Sequence, residues 1–126
     1  MKQVLKPNGL GARRIVKALQ CSYLGIKAAF KVEVAFRQEL LVSIILLPFS
    51  FWLASSLLHW VVLICSLLLI LIVELLNSAI EALTDRISTE RHILSGRAKD
   101  MGSAAVALTM MIALIIWGSS LYLKIV

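Results

Sequence analysis

Residues 40–73 read LLVSIILLPFSFWLASSLLHWVVLICSLLLILIV, 34 positions without one Asp, Glu, Lys or Arg. A membrane span takes roughly 20 apolar residues, because the hydrocarbon core is about 30 Å thick and an α-helix rises about 1.5 Å per residue. The run is therefore too long for one span and suits parts of two. Its break lies in the semi-polar part that holds Pro48, Ser50, Ser55, Ser56, His59 and Trp60. Proline lacks the N–H that a helix interior needs, and Trp favours the membrane interface. A second charge-free run, residues 101–123, fits one helix. The reading is an all-α membrane protein with spans at about 33–54, 60–86 and 97–123, to within the few residues by which helix ends are legible.

The rest of the chain agrees with this reading. Its 126 residues have room for one domain, 1–126, and 60% of them are hydrophobic, against about 45–50% in a soluble domain. The first 39 residues are too charged to contain the apolar core of a secretory signal peptide. Cys21 and Cys65 suit neither a disulfide nor a metal site and read as small apolar residues. The net charge of +6 is unevenly placed. Lys2, Lys6, Arg13, Arg14, Lys17, Lys27 and Lys31 precede the first span, Arg86, Arg91, Arg97 and Lys99 surround the second connection, and the first connection has no cation. The positive-inside rule then puts the N-terminus and the second connection in the cytoplasm. The same placement argues against nucleic acid as the basic residues' partner, since they follow topology. Residues 10–31 suit an amphipathic surface helix, with Leu10, Ile15, Leu19, Ile26 and Phe30 toward the apolar boundary and the cations toward anionic headgroups. They suit a plain topology anchor equally.

The second span ends in ELLNSAIEALTD, residues 74–85. At about 100° per residue, Asn77 lies at about −60°, Glu81 at about −20° and Asp85 at about +20° from Glu74. All four share one face. An acidic residue at mid-bilayer costs about 2.5–3.5 kcal/mol on insertion scales. Asp85 can sit at the cytoplasmic interface and pair with Arg86, Arg91 or Arg97. Glu74, about 16 Å deeper, has no cation within eleven residues along its helix. Burial without a partner points to function for Glu74 and Glu81. Glu33 and Glu39 flank the start of the first span, where Glu33 and Arg37 are spaced to pair. SGRAKDMGS, residues 95–103, opens the third span with cations beside glycines and a helix N-terminus, a weak phosphate-binding pattern. Neither a GxxxxGK[ST] loop nor a protein-kinase signature occurs. Carboxylates that recruit Mg²⁺, a cation that neutralises phosphate and a buried carboxylate able to act as a base are the parts phosphoryl transfer needs. A base half-buried in the membrane implies a lipid alcohol as acceptor.

Three blocks carry a resemblance in register: AFRQE at 35–39, ExxNSAIExxxD at 74–85 and SGRAKDMGSAAV at 95–106. They resemble the prokaryotic diacylglycerol kinase family, and the likeness runs from about residue 14 to 117. The resemblance implies a homotrimer in the bacterial inner membrane, with active sites shared between subunits, that moves the γ-phosphate of ATP to a lipid hydroxyl. It implies that Glu74 is the proton acceptor and that Glu33 and Glu81 bind Mg²⁺. Arg14, Glu33, Glu81, Glu90, His92, Lys99 and Asp100 match nucleotide-binding positions, and Asn77 and Asp85 match supporting polar ones. Lipid-binding positions match Arg14, Ala18, Ser22, Lys27, Ala28, Ala29, Ala35, Phe36, Arg37, Gln38, Glu39, Trp52, Glu74, Ser103 and Trp117. Cys21, Tyr23 and Arg91 depart from the family's usual aromatic residues. Within the family one branch phosphorylates diacylglycerol and another undecaprenol, and residues 95–97 and 101–103 resemble the first. Intramembrane carboxylates alone would also allow a small oligomeric proton or ion pathway, which Lys99 and Asp100 weigh against.

Overall fold

Charge-free apolar runs become helices in a bilayer because nothing else satisfies every backbone N–H and C=O internally. The computed structural model describes residues 11–87 and 89–126. It holds helices α1 (Ala12–Val32), α2 (Val34–Leu53), α3 (Leu57–Ile87) and α4 (Ile93–Ile125). The last three are long and apolar enough to cross a membrane. α2, with 20 residues, is about as long as the hydrocarbon is thick. α3 has 31 residues and α4 has 33, so both overshoot it and carry their polar ends beyond the apolar layer. α3 packs most extensively on α4 and next on α2, while α1 touches α2 and α3 only sparingly.

On α1, Ala29 is the one buried residue, while Ile15, Leu19, Ile26 and Phe30 stay exposed. No protein covers that apolar side, which is the condition of a helix lying on a membrane surface. One residue, Glu33, separates α1 from α2. It is extended, at φ −96° and ψ 112°, and its N–H bonds Ala29 O at 2.8 Å while its carbonyl accepts from Arg37 N at 3.3 Å. The pairing of Glu33 with Arg37 that the spacing suggests does not form. Arg37 instead donates to Phe30 O at 2.8 Å and Lys31 O at 3.0 Å, capping the carbonyls left open at the end of α1.

Pro48 does not break the first span. α2 runs through it to Leu53, and the chain turns at Ala54, Ser55 and Ser56. In a membrane span a single missing N–H is tolerated, because neighbouring side chains and helices re-satisfy the freed backbone.

A repeated device ties the helices together. Ser50, Ser66 and Ser120 are buried, and each hydroxyl donates to a carbonyl of its own helix, Leu47 O, Leu63 O and Ile116 O. Each oxygen then accepts a ring N–H from elsewhere in the chain. Trp60 Nε1 reaches Ser50 at 3.0 Å, Trp117 Nε1 reaches Ser66 at 3.0 Å and His59 Nε2 reaches Ser120 at 2.8 Å. His59 Nδ1 accepts from Ser55 N–H at 3.1 Å, which places the imidazole hydrogen on Nε2 and makes it the donor to Ser120. Hydroxyls that bond their own helix leave acceptor lone pairs free for another segment, so no polar atom of these clasps is wasted in an apolar layer.

Candidate functional site

The face drawn by the 74–85 spacing exists. Glu74 is 5% exposed and Asn77 9%, and Asn77 Nδ2 donates to Glu81 Oε1 at 3.2 Å. Counted from Leu57, Glu74 lies about 26 Å along α3, inside a hydrocarbon layer of about 30 Å, and Asp85 lies about 42 Å along it, outside. Glu74 is also where acidic residues meet. The carboxylates of Glu33, Glu39 and Glu81 are all near enough for their charges to act on it. Glu39 adds a buried Oε2 without a hydrogen-bond partner. Lys99 is the cation whose charge reaches Glu81, and such a concentration of negative charge is a place for a further cationic group or a proton to go.

Asp85 has a partner, and it is not one of the arginines the sequence offers. Lys99 Nζ donates to Asp85 Oδ1 at 2.5 Å, across the α3–α4 connection. Asp85 thereby holds Lys99 beside the face it belongs to. A pocket of about 440 Å³ opens there, lined by Thr84, Asp85, Glu90, Arg91, His92 and Lys99 among others. Three nucleotide candidates, Glu90, His92 and Lys99, thus come together. His92 also begins α4, its Nδ1 accepting from Leu94 N–H at 3.1 Å. Asp100 is exposed on α4 outside this lining, as is Ser103.

The lipid candidates divide. Ala35, Gln38, Glu39 and Trp117 line one cavity of about 470 Å³ between α2, α3 and α4, whose remaining wall is nearly all apolar. Ser22, Ala28, Ala29 and Glu33 line a second, of about 540 Å³, where α1 crosses α3. Phe36 is 3% exposed and belongs to the helix packing rather than to either wall. Arg37 serves the end of α1, as described. Trp52 lies 13 residues beyond Glu39 on α2, about 20 Å toward the opposite membrane face, with Lys124 Nζ 5.5 Å from its ring. Arg14, Ala18 and Lys27 are exposed along α1, and Arg14 is about 28 Å from Glu33 along that helix. One chain does not gather all these positions into a single pocket.

Sequence reasoning missed several residues. Thr84 is buried, lines the connection pocket and bonds Glu81 O at 2.9 Å. Ser78 lines the α1–α3 cavity with a buried hydroxyl that has no partner. Ser66 sets the ring of Trp117. A Thr or Ser on a polar helix face was the only signal for the first two, and none existed for the third.

Among the described residues, no three His, Cys, Asp or Glu side chains converge tightly enough to cage a metal. Mg²⁺ does not need such a cage, since it is usually held by one or two carboxylates together with substrate phosphates. Glu33 and Glu81, both acting on Glu74, fit that requirement, with hard oxygen donors and no competing soft ligand.

The fold and these groups define a small polytopic all-helical membrane protein whose second span carries an acidic face, buried at Glu74 and open at Asp85, with a lysine-bearing pocket at one membrane boundary. Residues 20–121 match the sequence profile described as prokaryotic diacylglycerol kinase, and this chain belongs to that family. It is similar to a diacylglycerol kinase of Escherichia coli strain K12, 49% identical over 110 residues, which are 87% of this chain and 90% of the relative. A diacylglycerol kinase of Haemophilus influenzae is 46% identical over 112 residues, 89% of this chain and 95% of the relative. One from Helicobacter pylori strain 26695 is 40% identical over 121 residues, 94% of each chain.

Proposed function

We propose that this chain is an ATP-dependent lipid kinase that phosphorylates diacylglycerol to phosphatidic acid at the cytoplasmic face of a bacterial inner membrane. The observation that carries the reading is the buried carboxylate of Glu74, which lies along α3 between Leu67 and Ile70 of the apolar cavity's wall and Thr84 and Asp85 of the lysine-bearing pocket. The cavity has apolar walls and a polar end at Gln38 and Glu39, which suits a molecule with acyl chains and one hydroxyl-bearing end. The relatives' names supply diacylglycerol as that molecule.

The chemistry follows from where each group sits. Glu74 accepts the proton of the lipid hydroxyl as the hydroxyl oxygen attacks the γ-phosphorus, while the bond from that phosphorus to the bridging oxygen of the β-phosphate breaks and ADP leaves. General-base help of this kind is worth about 10²–10⁴-fold. Lys99, held by Asp85, neutralises phosphate charge, and Glu90 and His92 contribute to the nucleotide's pocket. Glu33 and Glu81 would hold Mg²⁺, which supplies charge neutralisation at the transferring phosphoryl group. Asn77 steers Glu81 through its amide. Because Glu74 lies within the apolar layer, the acceptor must be a molecule resident in the membrane.

The working unit is a homotrimer with sites shared between copies. Arg14 lies at the far end of α1 from Glu33, and large apolar side chains remain exposed on every span, such as Leu41, Ile44, Leu68, Ile72, Leu108 and Ile115. A neighbouring copy would complete the pocket from outside and cover part of that surface. The N-terminus faces the cytoplasm, in keeping with the cations around α1 and the α3–α4 connection.

The test is purified protein in micelles with Mg-ATP, given diacylglycerol and undecaprenol side by side, with radiolabel transfer to lipid as readout. Transfer to diacylglycerol at many times the rate to undecaprenol is expected. ATP turnover indifferent to lipid, or transfer to undecaprenol alone, would overturn the assignment.

A further inference from the structure

Asn77 sits at the contact of α3 with α4, buried, with its two amide atoms in opposite situations. Nδ2 donates to Glu81 Oε1 at 3.2 Å, whereas Oδ1 is buried with no hydrogen-bond partner. A buried carbonyl oxygen without a donor is costly and calls for a cause. The cause is across the interface. A Cβ placed on Gly102 of α4 would lie 2.2 Å from Asn77 Oδ1 and 3.3 Å from its Cγ. The oxygen therefore occupies the volume that a side chain at position 102 would fill. Turning the amide over would aim its oxygen at the Glu81 carboxylate, acceptor against acceptor, and lose the hydrogen bond to Glu81. With this orientation the amide is trapped, oxygen on the bare glycine and N–H₂ on Glu81.

We infer that Gly102 is a positioning residue for the phosphoryl-transfer site: its missing side chain seats the Asn77 amide, and that amide aims the Glu81 carboxylate. The inference rests on the reading of Glu81 as a Mg²⁺ ligand. Partners that orient a metal ligand typically alter metal affinity about 10–100-fold when removed. The local geometry also says how Gly102 acts. The position of a Cβ on Gly102 is 3.8 Å from the Asn77 Cα, an ordinary contact, so the two helix backbones have room for alanine. What must move is the far end of one side chain. Gly102→Ala thus displaces the carboxamide rather than separating α3 from α4.

Three variants and a control test this. Mn²⁺ binding, with a non-hydrolysable ATP analogue present, is measured by electron paramagnetic resonance on Gly102→Ala, Asn77→Ala, the double variant and Glu81→Gln. Thermal stability and oligomeric state are read on the same preparations. Gly102→Ala and Asn77→Ala should each weaken Mn²⁺ about 10–100-fold. The double variant should be no weaker than either alone, because both break one link. Any stability lost in Gly102→Ala should return in the double variant, where the Cβ has room. Wild-type Mn²⁺ affinity in Gly102→Ala, additive losses, or a double variant that still fails to assemble would each overturn the inference. Should Glu81→Gln bind Mn²⁺ normally, the metal reading itself fails and the inference falls with it. Should Glu81→Gln alone weaken binding, only the role of Gly102 is refuted.

Discussion

Replacing Glu74 by Gln tests the chemistry with the least disturbance of shape. The side chain is 5% exposed within α3, and Gln matches its size and keeps one carbonyl acceptor. What it loses is the ability to take a proton. A general base contributes about 10²–10⁴-fold, which is roughly 3–5 kcal/mol of barrier at about 1.4 kcal/mol per decade. The charges of Glu33, Glu39 and Glu81 act on this position, so removing one negative charge relieves repulsion as well as desolvation. Stability should hold or rise while kcat falls by two to four decades, about the range set by general-base catalysis. Turnover is measured as label transferred from ATP to diacylglycerol, nucleotide affinity by binding of a fluorescent ATP analogue, and assembly by light scattering after size exclusion, all on one preparation. If Glu74 were only a hydrogen-bond acceptor, Gln would keep most of the activity, or activity would vanish together with the oligomer. Near-normal kcat, or a loss accounted for wholly by lost assembly, refutes the base.

Glu33→Gln and Glu81→Gln should raise the Mg²⁺ needed for half-maximal rate while the fold survives, because an amide is a poorer Mg²⁺ ligand than a carboxylate; an unchanged Mg²⁺ titration in both removes them from the metal site. Lys99→Met should raise the KM for ATP about tenfold or more, as expected for a lost charge-assisted phosphate contact. Asp85→Asn should move the KM the same way with a melting point nearly unchanged, since a solvent-screened ion pair adds little to stability. Loss of the fold in Asp85→Asn would show that the pair has another role. His59→Leu removes the bonds to Ser55 and Ser120 and should cost about 1–3 kcal/mol, at about 0.5–1.5 kcal/mol each, without altering kcat per folded molecule. A double-mutant cycle with Ser120→Ala should show coupling, and additivity would mean the clasp contributes nothing. In a background lacking Cys21 and Cys65, cysteines at Ser55 and Thr89 should label from opposite sides of the membrane; labelling from one side contradicts the topology.

Everything that depends on one helix alone was legible in the sequence. A run such as residues 40–73 leaves no structure but helix once it lies in hydrocarbon. Helical spacing then puts Glu74, Asn77 and Glu81 on a common face whatever surrounds them, and the structure has Glu74 and Asn77 buried with Asn77 bonded to Glu81. The break between the first two spans fell at residues 54–56, beside the expected end of the first span near residue 54, and the helix runs through Pro48 because a single missing N–H is tolerated in a membrane span. Partners on different helices were not legible. Asp85 was offered three arginines and took Lys99, Arg37 was offered Glu33 and took the carbonyls of α1, and nothing in the sequence joined Ser66 to Trp117, Ser120 to His59 or Gly102 to Asn77. Periodicity fixes the angle of a side chain about its own axis. It says nothing of the rotation and axial register of the neighbouring helix, which the fit of all the side chains between two helices decides.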